Sequence, residues 1–358
     1  MWVPPWAVRR FALAPLLPVL AAVAVVLFPL VLVGHTMLAL GLLLRGRARA
    51  VRWRLPRAWL FGIAYLVGET ACLLACLALW VRFAGRFDGD RARQAHAALL
   101  QRFLDALVGL AGFTFRFELQ MHEPRTQPGD PDVLHGDEPI IVLARHAGPG
   151  ASFVLVHILL SRYGRMPRIV LTDRLRWDPA IDVLLSRLHC AFIPKGGDAA
   201  LDAVEEIARS LRRHDALLIF PEGGDWTPLR HRRAVARLRR QGHWDEAKQA
   251  ARMAHVLPPR PAGTVAALLA APHADVVVFG HTGHDDLQDL ATVWAGLPLR
   301  RELDVLWWRE PAAELPDDAD EVRDWLFDLW GRIDSWIEEQ GDLVALTRPQ
   351  GHDSGAHS

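Results

Sequence analysis

Apolar positions fall into two regimes along the chain. From Phe11 to Leu44 no Asp, Glu, Lys or Arg interrupts them, and from Ala58 to Val81 only Glu69 does. A helix of roughly 20 apolar residues crosses a bilayer, so both stretches are expected to associate with a membrane. Pro15, Pro18 and Pro29 leave the first open to one tilted span or to a hairpin turning near Pro29. Past residue 86, short apolar runs alternate with stretches of helical period. Strands are expected at Gly112–Leu119, Ile140–Ala144, Arg168–Thr172, Cys190–Ile193, Ala216–Phe220, Asp275–Phe279 and Arg301–Trp308. Helices are expected at Asp90–Leu110, Phe153–Leu160, Pro179–Leu188, Ala199–Arg213, Arg232–His255, Gly263–Leu269 and Glu321–Gln340. The polar stretch Glu123–Glu138, with its prolines, reads as a loop, and Gln350–Ser358 as a disordered tail. Strands alternating with helices point to the α/β class, a mostly parallel sheet flanked by helices. The expected organisation is a membrane-associated helical part (1–85), an α/β domain (86–340) with a basic helical insert (231–256), and a flexible tail (341–358).

Charge refines the membrane reading. The connector between the apolar stretches carries Arg45, Arg47, Arg49, Arg52, Arg54 and Arg57, which the positive-inside rule places on the cytoplasmic side. Arg82, Arg86, Arg91 and Arg93 follow the second stretch, which favours both flanks on that same side. Glu69 makes a simple lipid-exposed span costly, so the second stretch is either crossing, re-entrant or flat. The large domain is then expected at the cell membrane, facing the cytoplasm. Lys195 and Lys248 are the only lysines, an arginine bias that makes no single surface arginine special. The cysteines, Cys72, Cys76 and Cys190, show neither metal-ligand spacing nor a disulfide framework. Nucleic acid is disfavoured as a partner, because the basic residues cluster beside the membrane stretches and no aromatic–basic strand motif is present.

Three strand ends carry the candidate chemistry. His146 ends the run Ile140–Ala144, followed by Gly148, Gly150 and Ser152, with Ser152 the expected N-cap of the next helix. A histidine there can act on a substrate or merely cap the turn. The second end is Phe192-Ile193-Pro194-Lys195-Gly196-Gly197-Asp198, where glycines, a lysine and a helix start make an anion site. The third is Phe220-Pro221-Glu222-Gly223-Gly224-Asp225; its carboxylate can meet a hydroxyl or hold an arginine, and Asp225 can line the pocket or close the turn. In an open parallel sheet, strand carboxyl ends lie on one edge, which would bring the three together. Arg260 can grip a phosphate or make a structural ion pair. The insert arginines Arg232, Arg233, Arg237, Arg239 and Arg240 can meet anionic lipid or phosphates, or form a solvated face. His281, His284, Asp285 and Asp286 have metal-ligand side chains, but they follow an apolar strand where a polar loop is expected.

The order of these blocks resembles the glycerolipid acyltransferase family, of the 1-acyl-glycerol-3-phosphate or lysophospholipid acyltransferase type. Phe220-Pro221-Glu222-Gly223 matches the family's third block, and Phe192-Ile193-Pro194-Lys195 resembles the second, with lysine for the usual arginine. Val276–Phe279 stands where the fourth, apolar block would be, and Val256–Gly263 resembles the leucine-proline-arginine stretch of the lysocardiolipin branch. The resemblance implies acyl transfer from acyl-CoA or an acyl carrier protein to a lysophospholipid, most simply lysophosphatidic acid giving phosphatidic acid. Acyl-CoA is then a co-substrate, and no cofactor or metal is implied. It makes His146 the general base, with Lys195, Gly196, Gly197, Glu222, Gly223 and Arg260 binding substrate. The first block departs from the family's histidine–four residues–aspartate pattern, because Ala151 occupies the aspartate position. Attenuated activity is therefore expected, with Asp173, Asp178 or the neighbouring Ser152 as possible stand-ins. The rival is a catalytically silent membrane protein that binds lipid or acyl-CoA.

Overall fold

The run Ile140–Ala144 becomes the central strand of a sheet whose two faces are both covered. Ile140, Val142 and Ala144 enter one apolar core and Ile141 and Leu143 the other, and all five are at most 1 % exposed. Side chains alternate across a strand, so a strand buried on both faces must be apolar without interruption. The computed structural model describes residues 3–47, 53–87, 89–121, 132–146, 150–188, 190–193, 198–282, 294 and 301–347. Its strands are β1 (Phe117–Met121), β2 (Ile140–Ala144), β3 (Met166–Thr172), β4 (Ala191–Ile193), β5 (Asp215–Ile219), β6 (Asp275–Thr282) and β7 (Arg301–Glu310). They form one sheet in the order β1-β7-β6-β2-β5-β3-β4. Strands β2 to β6 run in one direction. β7 pairs antiparallel with β6, and β1 parallel with β7, so this pair runs the other way.

The helices are α1 (Trp6–Leu44), α2 (Arg54–Arg82), α3 (Asp90–Phe115), α4 (Ala151–Ser161), α5 (Pro179–Arg187), α6 (Asp198–Arg209), α7 (Pro228–Arg240), α8 (Trp244–Ala250), α9 (Pro261–Ala270) and α10 (Ala319–Thr347). One face of the sheet packs against α2, α3, α4 and α5 through Cys76, Leu104, Leu159 and Leu184. The opposite face packs against α6 to α10 through Ile207, Leu238, Ala250, Leu268 and Trp330.

Among the described residues, α1, α2 and α3 are long and apolar enough to cross a membrane. α1 runs through Pro18 and Pro29 without breaking, with a π-helical segment at Arg9–Leu13, so the hairpin alternative is not adopted. Its ~58 Å length exceeds a ~30 Å hydrocarbon core. Val26, Leu30 and Leu44 on it are strongly exposed, a surface that water does not tolerate well. α2 is different. Tyr65 donates to Asp178 Oδ2 at 2.7 Å, and Arg187 Nη1 donates to the Cys76 carbonyl at 2.7 Å, so its middle leans on α5. Glu69 is buried in that contact, against protein.

Four local expectations are corrected. The alternation at Gly112–Leu119 is not one strand: α3 continues to Phe115, which stacks on Phe61 at 4.8 Å, and Arg116 in the left-handed region turns the chain into β1. The insert is two helices, because the chain breaks at Gln241 and Gly242, the latter at φ +84°. The N-cap of α4 is Gly150 at φ +97°, not Ser152, which lies inside the helix. The chain is helical to Thr347, past the residue 341 where the tail was placed; Leu343, Ala345 and Leu346 are sound helix formers. Residues 348–358 and most of the 123–138 loop lie outside the described residues.

Candidate active site

Beyond Ala144 the backbone is held by a buried arginine. Arg145 donates through Nη1 to the His281 carbonyl at 2.5 Å and through Nη2 to the His255 carbonyl at 2.7 Å. Its own N–H donates to the Phe279 carbonyl, continuing the ladder one residue past β2. His281 answers with Nε2–H donating to the Arg145 carbonyl at 3.1 Å, which makes it a structural member of this junction. Residues 283–286, with the other ligand-type side chains, lie outside the described residues; among those described, no cluster could hold a metal ion.

Glu222 fixes the next residue. It follows β5, which pairs in register with β2, so its carboxyl arrives beside the end of β2. Oε1 accepts the His146 N–H at 2.9 Å and Oε2 accepts the Leu257 N–H at 2.9 Å. The carboxyl is 1 % exposed. Burial pushes its pKa up to about 7, against the pull of the Arg145 charge and the two N–H donors. Glu222 therefore holds two backbone segments.

The imidazole of His146 is oriented from a second direction. Its Nδ1 lies 2.8 Å from Asp225 Oδ1. An ionised carboxylate only accepts, so Nδ1 carries a proton, and in the neutral ring the lone pair is then on Nε2. Phe220 packs edge-on against the ring at 5.1 Å. His146 and Asp225 sit on a cavity of about 600 Å³ whose walls are mainly apolar, with Leu100, Phe103, Val156 and Leu184 among them.

A second cavity, of about 310 Å³, shares Gly223, Gly224 and Arg230 with the first. It is lined by Arg233, Arg237, Arg240 and Arg260. Among the described residues, none of these four has a carboxylate within ion-pairing distance. Burial lowers the Arg237 pKa, and the charges of Arg260 and Arg240 lower it further. Arg232, Arg233, Arg239 and Arg240 are exposed and Arg237 is half-buried, so it is at Arg237 that an anion would relieve repulsion between neighbouring cations.

His146, Glu222, Gly223 and Arg260 come together as the motif order implied. Lys195, Gly196 and Gly197 lie outside the described residues; they follow β4, which is three places from β2 on the same sheet edge, roughly 14 Å away at ordinary strand spacing. Asp173 and Asp178 do not reach His146: Asp173 lies near Arg176, and Asp178 caps α5 and accepts from Tyr65. Asp225, read as a pocket liner or turn closer, is the carboxylate on the imidazole. Turn closure falls to Thr227, whose Oγ1 accepts the Arg230 N–H at 3.2 Å and caps α7. Two glycines before an aspartate were the available signal, since they let the loop fold back on the strand end.

The acyltransferase family model matches residues 119–261, which span β2, the His146 turn, Glu222, Asp225 and the insert. A solved structure similar to this chain is the 1-acyl-sn-glycerophosphate (LPA) acyltransferase PlsC from Thermotoga maritima: 12 % identity, 78 % of this chain and 98 % of that chain covered, TM-score 0.47. No curated protein matches the chain.

Proposed function

We propose, on the match of residues 119–261 to the acyltransferase family model, that the protein moves a fatty acyl group from a thioester to the free hydroxyl of a lysophospholipid. The observation that carries this reading is the His146 imidazole at an apolar cavity, with its Nδ1 on the Asp225 carboxylate and its Nε2 unclaimed by that contact. The acceptor hydroxyl gives its proton to Nε2 as its oxygen attacks the thioester carbonyl. The tetrahedral intermediate collapses, the C–S bond breaks, and the thiolate takes the proton back from the imidazolium. The products are an ester and a free thiol, and the thioester supplies the driving force, so no metal or redox cofactor is required.

The two adjoining cavities support the choice of substrates. The apolar one suits an acyl chain. The arginine-lined one suits a phosphate, which favours lysophosphatidic acid as acceptor and acyl-CoA as donor, with an acyl carrier protein the other donor. Lys195 with the Gly196–Gly197 turn would make a further contact to the acceptor phosphate. The exposed apolar surface of α1 and the arginines flanking α1 and α2 support a cell-membrane location with the domain on the cytoplasmic side.

The experiment is acyl transfer by the purified protein in phospholipid vesicles, with labelled oleoyl-CoA and lysophosphatidic acid. Labelled phosphatidic acid is expected, and His146→Ala should lower turnover on the order of 10²–10⁴-fold. Bound label that stays a thioester in single-turnover mixtures, with every lysophospholipid tried, would overturn the reading.

A further inference from the structure

We propose that Asp225 is the positioning residue of His146: it supplies, from the loop after β5, the carboxylate that the sequence lacks at position 151. The inference rests on the function proposed above. In the acyltransferase pattern the aspartate five residues after the histidine fixes the imidazole tautomer, and here that position is Ala151, the first residue of α4. The structure delivers a carboxylate to the same ring from elsewhere, with Asp225 Oδ1 2.8 Å from Nδ1.

The delivering loop is itself held. Gly223 takes φ +67°, which lets the chain reverse immediately after Glu222. Arg230 Nη1 donates to the Asp225 carbonyl at 3.0 Å and lies 3.6 Å from Oδ2, which fixes the carboxylate from its other side. Thr227 then begins α7. Asp225 is thus placed by a strand end, a capped helix and an arginine. Both side chains, His146 and Asp225, are 28 % exposed, so the pair opens onto the cavity and is not buried core polarity.

A carboxylate so placed does two things. It holds the proton on Nδ1, leaving Nε2 basic, and it stabilises the imidazolium that forms when Nε2 takes the acceptor proton. The attenuation expected from Ala151 therefore does not arise, because the partner is relocated and not lost.

The test is Asp225→Asn, with Ala151→Asp as a separate variant. Asparagine keeps the shape of the side chain but can present an N–H to Nδ1 and so favour the wrong tautomer. Its kcat should fall on the order of 10²–10⁴-fold with KM for the acceptor nearly unchanged. In ¹⁵N spectra of the histidine rings, the signal lost in His146→Ala should report Nδ1–H in the unmodified protein and shift in Asp225→Asn. Ala151→Asp alone should leave turnover within a few-fold. Unchanged kcat, a rise in KM alone, an unaltered ring signal, or a gain of tenfold or more from Ala151→Asp would each overturn the proposal. The Ala151→Asp arm stands even if Asp225→Asn does not fold. The ring spectra separate the two proposals: a chain without acyl transfer but with an Asp225-dependent Nδ1–H signal sinks the function and keeps the pair.

Discussion

The guanidinium of Arg260 lies against the bare backbone of Gly223. A Cβ built on that glycine would come within 3.2 Å of Arg260 Cζ, and the residue already sits at φ +67°. A side chain at position 223 therefore costs twice, once in backbone strain of roughly 1 kcal/mol or more and once in displacing a cation. Gly223→Ala should lower the melting temperature by several degrees and raise KM for a phosphorylated acceptor more than it lowers kcat. An unchanged KM would separate Arg260 from substrate binding.

Arg237, Arg240 and Arg260 share one small cavity, and Arg237 feels the other two charges. Inorganic phosphate at millimolar concentration should raise the melting temperature of the protein. Arg260→Gln should shrink that rise and weaken the acceptor about tenfold, in line with one lost charge-assisted contact. Equal stabilisation by phosphate in protein and variant would place the anion elsewhere.

Burial holds Glu222 protonated further up the pH scale than a free carboxyl, with its pKa raised to about 7. A raised carboxyl pKa means the folded state binds more protons than the unfolded one between about pH 4.5 and 7. The Glu222 contribution is complete below about pH 4.5 and is lost as pH rises through 7, by up to about 3 kcal/mol. Glu222→Gln should flatten that part of the stability–pH curve. It should also cost about 1–3 kcal/mol, because an amide accepts only one of the two N–H groups. Parallel curves for the protein and its variant would remove Glu222 as the source.

Asp182 ties the start of α1 to the domain. It is fully buried and meets Arg9 Nη1 at 2.6 Å, Arg10 Nη2 at 3.0 Å and Arg176 Nη1 at 2.9 Å. Asp182→Ala leaves Arg9 and Arg10 without this counter-charge and Arg176 with Asp173 alone, and should cost on the order of 3–5 kcal/mol. Protease access to the α1–α2 connector, compared at matched temperature, should increase. No change in either would mean that α1 is held by lipid or α2 alone, the latter through the Trp59 donation to the Ala24 carbonyl at 2.8 Å.

Much of this was readable from residue order because strand burial leaves a direct trace. Ile140–Ala144 and Val276–Phe279 are apolar throughout, as strands covered on both faces must be, and both lie inside observed strands. Errors came where two periods overlap or where a glycine intervenes. The alternation of Phe113, Phe115 and Phe117 straddles two elements: the helix end leaves Phe113 in the open and Phe115 on Phe61, and Phe117 opens β1. At the site, residues tied to strand ends were found from motif order. The partner of His146 was not, because Asp225 is 79 positions away and its reach depends on the glycines at 223 and 224. Tertiary placement of a loop carboxylate leaves no periodic signal.

The two bonds of Glu222 have one more consequence. One oxygen holds the backbone of the base and the other the backbone of Leu257, three residues before Arg260. A single carboxyl thus sets the span between the imidazole of His146 and the guanidinium of Arg260. For the acceptor proposed above it would work as a ruler: a lysophospholipid whose hydroxyl and phosphate are separated by that span would fit both ends, and one with a longer headgroup would overshoot one of them.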